Sequence, residues 1–301
     1  MKKTTYLVII SVITIICVIA GSIIHFGEMS LGWGFPWGFP WGAGKSNNKV
    51  TSIEFDDGSV SADTVSLDEF DTAKLDLTIM DVTVEEGEEA GIHYECSKKQ
   101  LVPEINVSDG VLTVKQKQSH NDINFGKTVC KMILTVPAGV KLEKFEVGTS
   151  TGDVKINDIE GLELAVCLST GDLKMENCMF DKAEISGNTG DIKITTCNMT
   201  DIKISDNTGD IKLSDCTFGN GNEGDIIISD NTGDVLVEGI DDLKLYETDL
   251  ATDIGDIIIN GKTYDKKHYF EDALLSSDSE NHRRFTVSTN IGDVTVSEKN
   301  K

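Results

Sequence analysis

Thr-Gly-Asp recurs along the second half of this 301-residue sequence, with its Gly at 152, 171, 190 and 209. A carboxylate repeated at a fixed interval suggests two kinds of chemistry: a row of them can hold calcium, and two in apposition can hydrolyse a glycan. Calcium-binding β-rolls use a nine-residue Gly-Gly-x-Gly-x-Asp unit. This chain has neither the double Gly nor that period, and Lys155, Lys174, Lys193 and Lys212 stand two places after each Asp, where a divalent cation would be repelled. A catalytic pair need not recur in every repeat, whereas a structural group does, and the outward positions carry no aromatic platform for a sugar. The five His, at 25, 93, 120, 268 and 282, are scattered, and Gly-x-Ser-x-Gly is absent. Cys178, Cys197 and Cys216 fall seven positions after successive glycines, where other copies carry Ile159 and Ile240. That exchange marks a column of small buried apolar side chains, and a line of thiols does not converge on one point as a tetrahedral metal site requires. Neighbours in the column lie close enough for a disulfide to form, while Cys96, Cys130 and Cys167 show no spacing that fixes a partner. The reading is of a non-enzyme with no catalytic residue, cofactor, metal site or small-molecule substrate.

The elements that position these columns follow from the repeat. Further copies have Gly at 233, 255 and 292. Two and four residues after each Gly come apolar pairs such as Val154 and Ile156, Leu173 and Met175, Ile192 and Ile194; seven and five residues before it come Phe145 and Val147, Leu164 and Val166, Ile202 and Ile204. Period two predicts two short strands per unit, each with one apolar face. Such units close a core only by stacking with like positions superposed, which predicts an all-β, right-handed parallel β-solenoid of about seven rungs. Gly152, Gly171, Gly190, Gly209, Gly233, Gly255 and Gly292 are its structural turn residues, and Ser150, Ser169, Asn188, Asn207 and Asn231 form a polar stack beside them. In the outward Lys column, Leu236 and Ile258 are a break. They predict an interface, or a stripe covered by the insertion at 262–285 with its Tyr264, Tyr269, Phe270, Leu274 and Leu275. Residues 49–140 show alternating runs without an evident repeat register and read as a divergent N-terminal β cap; the solenoid repeats occupy 141–301.

With 51 Asp and Glu against 27 Lys and Arg, the net charge of -24 repels phosphates and excludes a nucleic-acid partner. Tyr6 to Phe26 is free of charged residues and long enough to span a bilayer as a helix, and Lys2 and Lys3 place its leading end in the cytoplasm. Residues 1–27 are therefore expected to be a cytoplasmic tip and uncleaved transmembrane signal-anchor helix, with everything after it extracytoplasmic. Residues 28–48 form a Gly/Trp/Phe/Pro-rich linker in which Trp33, Trp37 and Trp41 recur every four residues, an interfacial anchor or a second contact surface.

The Val-Pro-Ala-Gly-Val-Lys-Leu segment at 136–142, leading into Thr-Gly-Asp-Val and then repeated Thr-Gly-Asp-Ile-Lys-Ile, resembles the bacterial β-strand-repeat family labelled "putative adhesins" and otherwise a domain of unknown function. That family includes Lia-type envelope-stress proteins of Gram-positive bacteria. The resemblance covers roughly 50–301 and implies a β stack with a surface role, without catalytic residues. The expected function is a membrane-anchored, surface-exposed adhesion or protein-interaction module of the cell envelope, with an envelope protein or surface ligand as partner. The alternatives are an accessory component of envelope-stress signalling and a calcium- or glycan-binding β-roll.

Overall fold

The computed structural model describes residues 61–117, 130–219, 224–272 and 283–299. The N-terminal strands are β1 (Ser61–Ser66), β2 (Thr72–Ile79), β3 (Asp81–Gly87), β4 (Gly91–Cys96), β5 (Glu104–Ser108), β6 (Val111–Lys115) and β7 (Cys130–Pro137). The repeats supply β8 (Lys141–Thr151), β9 (Val154–Asn157), β10 (Glu160–Leu168), β11 (Leu173–Glu176), β12 (Met179–Gly187), β13 (Ile192–Thr195), β14 (Asn198–Ser205), β15 (Ile211–Ser214), β16 (Thr217–Phe218), β17 (Ile226–Ser229) and β18 (Val235–Ile240). The last are β19 (Tyr246–Ile254), β20 (Ile257–Ile259), β21 (Lys262–Tyr264), β22 (His268–Glu271), β23 (Arg283–Ile291) and β24 (Val294–Glu298). They form two 12-stranded sheets, and no α-helix occurs among the described residues. The expected spanning helix at 6–26 and the tryptophan linker lie outside the described residues; within them no helix is long and apolar enough to cross a membrane.

One sheet runs β1-β4-β7-β3-β9-β11-β13-β15-β18-β24-β20-β21 and the other β22-β19-β23-β17-β14-β12-β10-β8-β2-β6-β5, with β16 beside β14. Parallel in-register pairing superposes the repeat columns, for example Leu173 on Val154 and Ile192 on Leu173. Strict alternation sends every second side chain into the space between the sheets. There Val154, Leu173, Ile192, Ile211 and Val235 meet Phe145, Leu164, Ala183, Ile202 and Ile226 in a single core cluster.

The order of the units in space departs from their order in the sequence. The unit ending in Gly292 does not follow the one at Gly255: β24 pairs with β18 on one side and β20 on the other, and β23 lies between β17 and β19. The chain passes outward to lay down β19 and β20, then returns to fill the gap. The N-terminal region also contains a repeat unit. Val82 pairs with Val154, Ala73 with Phe145 and Leu75 with Val147, so Met80-Asp81 takes the place of Gly152-Asp153 and β2 and β3 continue the stack. The region is thus a divergent start to the same stack, sharing its core.

Both ends of the stack are closed by antiparallel strands, which leave short edges in place of a long parallel one. At the N-terminal end these are β4, β1 and β5; at the other end β21 and β22. The insertion thus builds the terminal edges, where Tyr264 and Tyr269 stack edge to face at 5.0 Å. Its described part sets Thr263 of β21 beside Ile258, while Leu274 and Leu275 of the expected cover lie outside the described residues. Cys96 and Cys130, opposed on β4 and β7 with Cα atoms 4.2 Å apart, form a disulfide that sequence spacing did not reveal. Behind it the buried Gln116 side chain accepts from the amides of Thr78 and Ile79 and donates to the carbonyls of Leu101 and Ile79, satisfying backbone that the end of the stack leaves open.

Candidate interaction surface

Each repeat turns its first corner at the Gly. Six of the seven corner glycines, Gly255 excepted, have φ between 138° and 159°. Close approach is a second demand: a Cβ on Gly190 would lie 2.6 Å from the carbonyl carbon of Gly171 and closer to its oxygen, and Gly255 is under the same constraint against Gly292. A second corner, missed in the sequence, lies six residues after the Gly. There Asp158, Asn177, Thr196, Asp215 and Gly239 have φ of 57°, 54°, 54°, 54° and 74°. Its signal was present as the recurrence of Asp, Asn and Gly, the residues that tolerate a left-handed backbone.

The corners absorb the polar columns. Asp172 N–H donates to Asp153 Oδ1 at 3.0 Å, Asp191 to Asp172 at 2.8 Å, Asp210 to Asp191 and Asp234 to Asp210 at 2.9 Å. Asp81 begins this ladder, and Asp293 and Asp256 continue it. Each carboxylate therefore caps the amide of the next unit, which offsets repulsion down the column. Beside it the amides of Asn188, Asn207, Asn231 and Asn290 form a second ladder. Among the described residues no group of three or more His, Cys, Asp or Glu is placed to hold a metal ion. Cys178, Cys197 and Cys216 are free and buried in a line, and burial pushes the Cys216 thiol up to about 11.

On the outward face the lysines pair locally, Lys174 with Glu176 at 3.1 Å and Lys212 with Glu238 at 2.8 Å, exposed bridges of small energetic weight. Leu236 and Ile258 do not stack on each other as expected: Thr295 on β24 pairs with both and separates them, because the last unit inserts there. Both are only partly exposed. The apolar pair that does form lies one residue before the corner Gly, where five other units carry Thr151, Thr170, Thr189, Thr208 and Thr232. Here Ile254 and Ile291 are direct neighbours on β19 and β23, 65% and 49% exposed. The Thr-to-Ile change was visible in the sequence; their adjacency was not, because 37 residues separate the two copies. Trp33, Trp37 and Trp41 lie outside the described residues.

Residues 70–297 match the family Toastrack DUF4097. The chain belongs to this family. No match was found among curated proteins. Among solved structures, the Toastrack chain is similar to a "putative cell adhesion protein" from Clostridium sporogenes (13% identity, covering 80% of this chain and 100% of that one, TM-score 0.34). A "putative adhesin" from Bacteroides fragilis (14%, 79% and 96%, TM-score 0.37) and a "putative lipid binding protein" from Parabacteroides distasonis (13%, 79% and 97%, TM-score 0.32) are further examples.

Proposed function

We propose that this Toastrack protein is a non-catalytic adhesion or protein-interaction module of the bacterial cell envelope, a right-handed β-solenoid held at the outer membrane face by the helix at 6–26. In this reading each corner Gly marks one rung and Met80 marks a further one. The exposed Ile254–Ile291 pair carries the interaction role, since adjacent apolar side chains replacing a column of Thr on a rigid corner are suited to contact with another surface. The Asp and Asn columns, by contrast, are engaged in holding the stack. The Cys96–Cys130 disulfide supports an oxidising, extracytoplasmic setting.

The test uses intact cells making the full-length chain, treated with a membrane-impermeant crosslinker. The native protein should be trapped in crosslinked products, and Ile254→Thr with Ile291→Thr, which restores the repeat residue, should abolish them while the thermal midpoint stays put. Failure of the reagent to reach the native chain would overturn the topology, and unchanged products in the double variant would overturn the contact surface.

A further inference from the structure

Three residues before each corner Gly the side chain points into the stack. Along the column these positions are Leu77, Thr149, Leu168, Gly187, Asp206, Asp230, Thr289 and Thr252. Two adjacent carboxyls thus stand inside the fold, Asp206 8% and Asp230 7% exposed. The strands beneath them are in register, Ser205 on Ser229, and Asp206 N–H donates to Ser229 O. No hydrogen bond of good geometry reaches either Asp206 oxygen or Asp230 Oδ1, although the backbone N–H groups of Asn207 and Thr208 beside Asp206, and of Asn231 and Thr232 beside Asp230, favour the ionised form and work against the effect of burial. Asp230 Oδ2 meets the Thr289 hydroxyl at 3.1 Å, but that hydroxyl also lies 3.2 Å from Gly233 O and has one proton to give.

Thr149, beside the glycine-free corner at Met80, donates to Thr151 O of its own unit at 3.2 Å, whereas the two threonines that lie beside glycine corners show what the position asks for there. Thr252 donates to Gly292 O at 2.8 Å and Thr289 faces Gly233 O, in each case the corner carbonyl of the adjoining unit. The equivalent carbonyls for Asp230 and Asp206 are those of Gly209 and Gly190, and a carboxyl can donate to them only when it holds a proton. Among the described residues no cation acts on the pair. Asp191 and Asp210 in the corner column add negative charge. The inward side chains of the flanking and facing strands, Ile185, Ile192, Ile211 and Val235, are apolar, and Thr289 on β23 is neutral. Lys193 and Lys212 sit at outward positions of β13 and β15. Gly187 in the same column makes room for the Asp206 carboxyl, whose Cγ lies 3.1 Å from where a Cβ there would stand.

We propose that Asp206 and Asp230 are a proton-binding latch, a protonated carboxyl pair that ties two adjacent units together in acid and loosens them when it ionises. Burial pushes both carboxyls up to about 6, with mutual repulsion adding to it for Asp206 and the Thr289 hydroxyl opposing it for Asp230. A folded-state value above the unfolded 3.8 means stability that is full below about 3.8 and is lost as pH rises through about 6. The latch therefore strengthens on acidification, opposite to a salt-bridged carboxylate.

The experiment compares the full-length protein in detergent with Asp206→Asn/Asp230→Asn, which keeps the shape and removes the titration. Between pH 7.5 and 5 the folding equilibrium of the native protein should gain roughly tenfold per carboxyl relative to the variant. Carboxyl carbon NMR on the native chain should show two Asp titrating near 6, a reading that needs no variant to fold. Parallel pH profiles, or Asp206 and Asp230 titrating as ordinary surface carboxylates, would overturn the latch. A calcium-dependent rise in stability at pH 7.5, absent from the variant, would overturn it in favour of a cation site.

Discussion

Replacing Gly190 by Ala and comparing the cost with Gly139→Ala separates the two demands made on glycine in this fold. Gly139 has φ of 77° with nothing within 4 Å of a Cβ, so Ala there bears only the left-handed backbone cost, ~1 to 2 kcal/mol. Gly190 has φ of 138°, a region almost confined to glycine and worth ~1 to 3 kcal/mol, and its Cβ would lie 2.6 Å from a backbone carbon whose preferred contact is near ~3.5 Å. A backbone obstacle cannot rotate away, so the units must part. The bonds across that contact, from Gly171 N to Thr189 O and from Leu173 N to Asp191 O, both 2.9 Å, are the first to lengthen, at ~1 kcal/mol each. The expected loss is ~3 to 5 kcal/mol, a large part of the ~5 to 15 kcal/mol typical of a domain. Urea unfolding of the full-length protein followed by far-ultraviolet circular dichroism measures it, since that signal comes from the strands themselves and all three Trp, at 33, 37 and 41, lie outside the repeats. A Gly190→Ala cost equal to or below that of Gly139→Ala would refute the close stacking of corners.

Thr196 is exposed and holds φ of 54° with a β-branched side chain, so Thr196→Asn, the residue type its neighbour unit carries at Asn177, should stabilise by ~1 kcal/mol; a loss in thermal midpoint would count against the second corner. Reducing Cys96–Cys130, which closes a loop of 34 residues, should cost ~3 to 4 kcal/mol in the chain-entropy account. Unchanged urea midpoints with and without reductant would show that the pairing of β4 with β7 holds without it.

Within the repeats, sequence alone determined which residues face the core, because period-two alternation and a 19-residue step leave one register in which Leu173 lies on Val154 and Ile192 on Leu173. It also determined the buried line of Cys178, Cys197 and Cys216, whose exchange with Ile reports an apolar setting. The unit at Met80 stayed hidden because its corner lacks Gly, the residue used to align the copies. Other features needed the tertiary structure because they depend on spatial order, which chain order does not encode once an insertion lets a later unit slide between earlier ones. That is why Thr295 separates Leu236 from Ile258, why Ile254 and Ile291 become neighbours, and why Thr289 meets Asp230. The disulfide belongs to the same class: Cys96 and Cys130 are opposed only because β4 folds back antiparallel on β7, a pairing between segments with no repeat to set their register.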